Sequence, residues 1–146
     1  MQFVIHTDIQ SKPEDIFPWI AEPDKAMKWQ KGIKGGEIIK ETSEKTGTTF
    51  KEVLEENGKR LEMYGEITDY IPDRLISFQL ESKIHKVHVT YSVSGNDSKS
   101  IITVECSIHW KFPMNFMCLF LGRNIRKNIL TQTESEIDEL KKLCEQ

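Results

Sequence analysis

Glu52 is the residue whose type and position could do chemistry. It lies between Phe50 and Leu54 at the strand period, on a face whose other members are apolar. A carboxylate on such a face loses its hydration, so its pKa is expected to rise. It could then serve as a general acid or base, or anchor a ligand hydroxyl. The plainer alternative is an edge strand or a bulge that leaves Glu52 in water. Tyr91 stands on the apolar face of its own segment and could supply a phenolic donor, although an aromatic there also serves as core with its hydroxyl at the rim. Tyr64 falls on the opposite face.

The other reactive side chains form no recognisable set. His6, His88 and His109 alternate with apolar neighbours and are expected to face outward, and the odd spacing of His85 and His88 separates their rings on a strand. No metal site is expected. Cys106, Cys118 and Cys144 lack any CxxC or Cys/His ligand spacing and read as reduced thiols. Nucleotide-binding glycine patterns and nucleophile elbows are absent, and no cofactor is expected. Arg123, Arg126 and Lys127 form a basic band beside the acidic Glu134, Glu136, Asp138 and Glu139, which together read as a solvated face. Asn124 and Asn128, one turn apart, could point inward or lie on the surface.

The elements that would position these residues follow from periodicity. Residues 113–145 read as one long helix whose apolar stripe runs Met117, Leu121, Ile125, Ile129, Ile137, Leu140 and Cys144, bridged by Thr133. Before it, alternation predicts strands over 2–10, 37–42, 48–56, 59–70, 74–82, 87–93 and 101–111. Ser11, Pro13 and Glu14 match a capping box opening a first short helix with Ile16, Phe17 and Ile20. Asp24 is expected to cap a second short helix over 25–30 that carries Met27 and Trp29. Gly32, Gly35 and Gly36 end the helical region. Asn57-Gly58 is the strongest hairpin signal. The order is strand, two short helices, six strands and a long helix, which is a sheet gripping a helix.

A chain of 146 residues is most simply one domain, residues 1–146, with one core. Its net charge of −3 without a clustered basic face argues against nucleic acid as a partner. The first ten residues lack the pattern of a signal peptide. The longest apolar run, residues 116–121, is far too short to span a bilayer, so no integral membrane segment is expected. These features predict a soluble, cytoplasmic protein.

Three stretches in combination resemble the START-like or Bet v 1-like (SRPBCC) superfamily, closest to its polyketide cyclase/dehydrase and lipid-transport branch. They are FVIHTDIQSKPEDIFPWIAEPDKAMKWQ at residues 3–30, YGEITDYIPDRLISFQL at 64–80 and VECSIHWKFPMNFMCLFL at 104–121. The resemblance covers nearly the whole chain. It implies an α+β helix-grip fold: a seven-stranded antiparallel sheet curved around the C-terminal helix, with two short helices between strands 1 and 2. It also implies a pocket between sheet and helix, and two short helices cannot cover such a sheet fully. The residues expected to line the pocket are Trp29, Phe50, Leu61, Met63, Phe78, Val89, Tyr91, Cys106, Ile108, Met117, Phe120 and Leu121. The expected function is binding of a hydrophobic or amphipathic small molecule or lipid, with Glu52 and Tyr91 orienting its polar end. The alternatives are a cyclase or dehydratase using Glu52 and a Tyr, or a protein-interaction domain like the superfamily's chaperone activators. The polar outward faces count against the last of these.

Overall fold

The period-two alternation is realised as seven antiparallel strands. In the computed structural model, residue 57 lies outside the described residues, as do the side chains of Glu56 and residues 116–121. The elements are β1 (Gln2–Ile9), α1 (Pro13–Ala21), α2 (Pro23–Ala26), β2 (Ile33–Lys40), β3 (Thr49–Glu56), β4 (Lys59–Ile71), β5 (Leu75–Glu81), β6 (His85–Gly95), β7 (Ser100–Trp110) and α3 (Met114–Cys144). The sheet order is β1-β7-β6-β5-β4-β3-β2. Strands 2 to 7 therefore form an unbroken meander. The pair that follow each other first in the chain, β1 and β2, lie at opposite edges. α1 and α2 carry the backbone from one edge of the curved sheet to the other.

Register decides which side chains meet inside. Phe3, Cys106, Val89, Phe78 and Ile67 are aligned across five strands, and Ile108, Val87, Leu80, Gly65 and Phe50 form the neighbouring row. The pair Glu56↔Lys59 leaves a two-residue connection between β3 and β4. Gly58 in it has φ 76°, the left-handed conformation such a turn requires. Asn57, the other half of that hairpin signal, is outside the described residues.

Local chemistry shifts several boundaries. The capping box does not form: α1 has Lys12 as N-cap with no side-chain cap bond. Lys12 precedes Pro13 and is held extended at ψ 156°, so the helix cannot begin before the proline. The second helix likewise starts on Pro23, with Glu22 rather than Asp24 at its N-cap, and ends at Ala26. Met27 is left exposed, whereas Trp29 is fully buried beyond the helix. β2 begins at Ile33, so Gly35 and Gly36 lie within a strand, beside a register shift. β6 begins at His85, two residues before the strand expected from the alternation.

α3 is about 45 Å long at 1.5 Å per residue. It packs against β1, β7 and α1. Ile137 and Leu140 are fully buried, while Ile125, Ile129 and Cys144 are partly so. Met117 and Leu121 of the same stripe fall outside the described side chains. Thr133 sits in the apolar stripe without cost because its hydroxyl donates to the Ile129 carbonyl at 2.8 Å. The dry core gathers around Ile9, Ile16, Phe17, Ile20, Trp29, Ile76, Ile102, Val104, Ile137 and Leu140. The outward faces are less polar than the alternation suggests, since Val4, Ile39, Tyr64 and Ile101 are all exposed.

Candidate functional site

The meander places Glu52 on β3, between β2 and β4, and not on an edge strand. Its Cα partners are Gly36 and Met63. Its carboxyl is pushed up to about 7 by burial. No charged partner among the described residues offsets that desolvation. A group near 7 is about half protonated at neutral pH, so it can donate or accept a proton with little bias.

Phe50, two residues earlier, is set by a missing side chain on the next strand. Gly65 is its Cα partner, and a Cβ there would collide with the Phe50 ring and with Leu80. The ring instead lies over β4 and meets Phe78 edge-on, with centroids 5.7 Å apart. Phe78 meets Tyr91 at 6.3 Å and Tyr91 meets Trp29 at 6.1 Å, both edge-to-face. The Trp29 indole is fixed by a 2.8 Å bond to the Trp19 carbonyl. Four aromatics from three strands and the loop after α2 thus make one continuous wall.

Tyr91 is the strongly perturbed phenol of this wall. Burial raises its pKa first of all, and the nearby Glu136, Cys106 and Glu52 raise it further. Gln30 acts on it in the opposite sense. Glu136, on α3, is also raised by burial and accepts a 2.9 Å bond from Gln132 Nε2. Lys31 acts weakly on Glu136, its ammonium donating to Ser135 Oγ at 3.2 Å on the exposed side. The Cys106 thiol is pushed up to about 11 by burial and is unreactive as a nucleophile at neutral pH.

The sequence-predicted lining residues occupy two kinds of environment. Phe50, Leu61, Phe78, Tyr91 and Cys106 are half-buried on the inward face. Trp29, Met63, Val89 and Ile108 are buried. The side chains of Met117, Phe120 and Leu121 are outside the described residues. Tyr64 is exposed on the convex face.

Sequence reasoning missed Gln30, Gln132, Gly65 and Glu136. Glu136, assigned to a solvated acidic face, is instead drawn inward. The available signal was its position three residues after Thr133 and seven after Ile129, on the rim of the stripe.

His85, read only as one of an odd-spaced pair, is half-buried and stacks on Trp110 with centroids 5.0 Å apart. Ser82 Oγ accepts the Ile84 and His85 amides at 3.2 Å, which leaves its own proton for His85 Nδ1 at 2.7 Å. Burial lowers the His85 pKa.

Among the described residues no three His, Cys, Asp or Glu side chains come together to hold a metal ion. A shallow hollow of about 330 Å³ opens on the other side of the sheet, beside Ile39, Tyr64, Glu66 and Gln79. The sheet separates it from Tyr91, so it is no part of this site.

No protein-family model and no curated protein sequence matches the chain. Solved structures do. An aromatase/cyclase, Zhui from Streptomyces sp. R1128, superposes with TM-score 0.82 at 8% identity, over 99% of this chain and 93% of that one. A START superfamily protein from Mycobacterium smegmatis gives 0.72 at 14% identity, over 95% and 98%. Ara h 8.0201 gives 0.73 at 15% identity, over 99% and 97%. At such identities the likeness concerns the backbone. The chain has the START-like, Bet v 1-like helix-grip fold.

Proposed function

We propose that the protein binds a hydrophobic or amphipathic small molecule in a cavity between the sheet and α3. One observation carries this reading. Phe50, Phe78, Tyr91 and Cys106 face inward yet none is fully buried, while the far end of the same surface is closed around Ile102, Ile137 and Leu140. An aromatic wall with a few convergent polar groups is the ordinary make-up of a ligand site. Cytoplasmic sequestration or transport of such a molecule agrees with the free thiols of Cys106 and Cys144.

An environment-sensitive hydrophobic dye tests the reading. The folded protein is expected to bind it, and Cys106→Trp to abolish uptake without loss of the fold. A dye that does not bind, together with a Trp variant that cannot fold, would mean that the wall is packed core. Native mass spectrometry of the purified protein would report any retained ligand.

A second reading draws on Glu52. A carboxyl near 7 and a phenol close enough to sense its charge are suited to proton transfer on a polyketide-like substrate, and one backbone neighbour is an aromatase/cyclase. Glu52→Gln separates the two readings. It would leave a binding protein able to take up dye, and would stop any turnover of an aromatic precursor.

A further inference from the structure

We propose that Ser82, His85 and Trp110 form an acid-sensitive latch: a proton on the His85 ring breaks the β5–β6 turn and frees the start of α3. The latch stands on hydrogen-bond geometry. Its consequence, faster release of a bound ligand in acid, rests on the binding reading above.

Register puts this turn at the end of the sheet that also holds the β3–β4 connection, away from Ile9 and Ile102. The buried Ser82 is its hub. Ser82 Oγ accepts the amides of Ile84 and His85, both at 3.2 Å, and a hydroxyl oxygen has only two lone pairs. Its one proton goes to His85 Nδ1 at 2.7 Å, which must be unprotonated to accept it. The ring is held there by its stack on Trp110. Lys111 ties the turn to the helix. Its amide donates to the Ile84 carbonyl at 2.7 Å, and its ammonium to the Ser82 carbonyl at 2.8 Å. Its carbonyl accepts the Asn115 amide at 3.1 Å, the bond that leads into α3.

Protonation turns Nδ1 from an acceptor into a donor. It becomes a third donor on an oxygen with two lone pairs, so an amide or the ring must let go. The displaced Ser82 proton can turn to the His85 carbonyl, but only at 3.4 Å, which is a poor bond. The charges around the turn do little to hold an imidazolium. Lys83 lies within it, Lys86 follows the histidine, and Lys111 comes from the β7–α3 link. Glu81, at the end of β5, is already engaged by Lys111 at 2.8 Å and by Lys86 at 3.9 Å. His109 of β7 is the Cα partner of Lys86, one position away. Burial lowers the His85 pKa, its own carbonyl pulls the other way, and Lys111 lowers it further. With the folded value below the ordinary 6.5, the stability that His85 contributes is complete above 6.5 and is lost as pH falls through the lowered value. Glu52 acts with the opposite sign, so a loss in acid does not come from it.

Amide hydrogen exchange of the ligand-free protein reads the latch directly, followed by NMR at pH 7 and pH 5 and corrected for the intrinsic effect of pH. Protection of the Ile84, His85, Lys111 and Asn115 amides is expected to fall at least about tenfold at pH 5, while Ile102 in the closed core keeps its protection. His85→Gln should show no such response. His85→Phe, which keeps a ring on Trp110 and cannot take a proton, should show none either, and it serves if the glutamine variant fails to fold. Unchanged protection at pH 5 in the parent overturns the latch, as does an acid response that survives in either variant. Stopped-flow release of the hydrophobic dye should quicken several-fold from pH 7 to pH 5 in the parent alone. If the amides open and the dye leaves no faster, the release consequence is overturned. If no dye binds at all, the binding reading falls, and amide exchange still decides the latch.

Discussion

The two ends of the inward surface are built from the same kinds of residue and end up in different states. At one end, α1, the last turns of α3 and strands β1, β5, β6 and β7 close over Ile9, Ile16, Ile76, Ile102, Ile137 and Leu140, none of them more than 1% exposed. At the other, Phe50, Leu61, Phe78 and Leu80 remain half-buried although they too point inward. The difference lies in what is stacked on the sheet. The first end has two helices above it, since α1 and α3 touch each other there. The second has edge strand β2, with its two consecutive glycines and its register shifts, and no helix from the 13–26 segment. Stability therefore resides at one end, and the proposed ligand site lies at the other.

Breaking the closed end should have the largest effect. Leu140→Ala is expected to cost about 3 kcal/mol, the ordinary loss for a fully buried leucine. Leu140→Asp should prevent folding, because it buries an unpaired charge. Phe78→Ala, at the open end, should cost less than half as much as Leu140→Ala while reducing dye uptake more. Urea melts of the two alanine variants, run beside dye titrations, check this. Equal costs at the two sites would erase the distinction between the ends.

The next effect is a pH dependence. Unfolded Glu52 ionises near 4.5 and folded Glu52 near 7, so between those values the folded state holds the extra proton. Stability from this group is complete below about pH 4.5 and declines as pH rises through 7, by about 3 kcal/mol at most. Glu52→Gln should consequently stabilise the protein at pH 8 and change little at pH 4. Thermal melts from pH 4 to 9 would show it. A variant less stable than the parent at pH 8 would mean that Glu52 is a satisfied structural anion. A group that destabilises the fold at neutral pH is what a functional residue is expected to be.

Gly65→Ala addresses the aromatic wall itself. The new methyl would strike both Phe50 and Leu80. Moving a packed ring and a leucine together should cost about 1–3 kcal/mol. It should also loosen the Phe50–Phe78 edge contact and weaken dye binding. If the variant melts and binds like the parent, Phe50 has space to retreat and the wall is not a fixed surface.

Much of this was readable in the chain because strand faces follow a strict alternation. Phe50, Glu52 and Leu54 announced one face, and Glu52 stood out as the charge that interrupts it. Helical residues gave less. Glu136 sits among Glu134, Asp138 and Glu139, and only the packing of α3 tells which of these turns inward. Gln30 was unreadable for a different reason: Pro23 starts and shortens α2, so the chain leaves the helical period before it reaches Gln30. Ser11 satisfied a capping pattern, but the proline two residues on held Lys12 extended and moved the cap. Gly65 carried no signal at all, since its role is to leave space for a side chain on another strand.

The smallest expected effect separates the ends dynamically. α3 is tied to the β1 side of the sheet by two exposed bonds: Arg126 Nη1 to the Gln2 carbonyl at 3.0 Å, and the Gln10 amide to Glu145 Oε2 at 2.8 Å. Both are solvated, so Arg126→Ala and Glu145→Ala should each cost less than about 1 kcal/mol. Their consequences for ligand exchange should differ. Glu145 lies where Ile137 and Leu140 already anchor the helix in the closed core. Arg126 lies beside the half-buried Ile125 and Ile129, where that anchoring is weaker. If α3 is the side from which a ligand enters, Arg126→Ala should speed dye release several-fold with the melting temperature almost unchanged, and Glu145→Ala should not. Stopped-flow release rates measured on the two variants decide it. Equal rates would place the opening on the β2 edge instead, where Ile33, Leu54 and Leu61 are aligned across β2, β3 and β4.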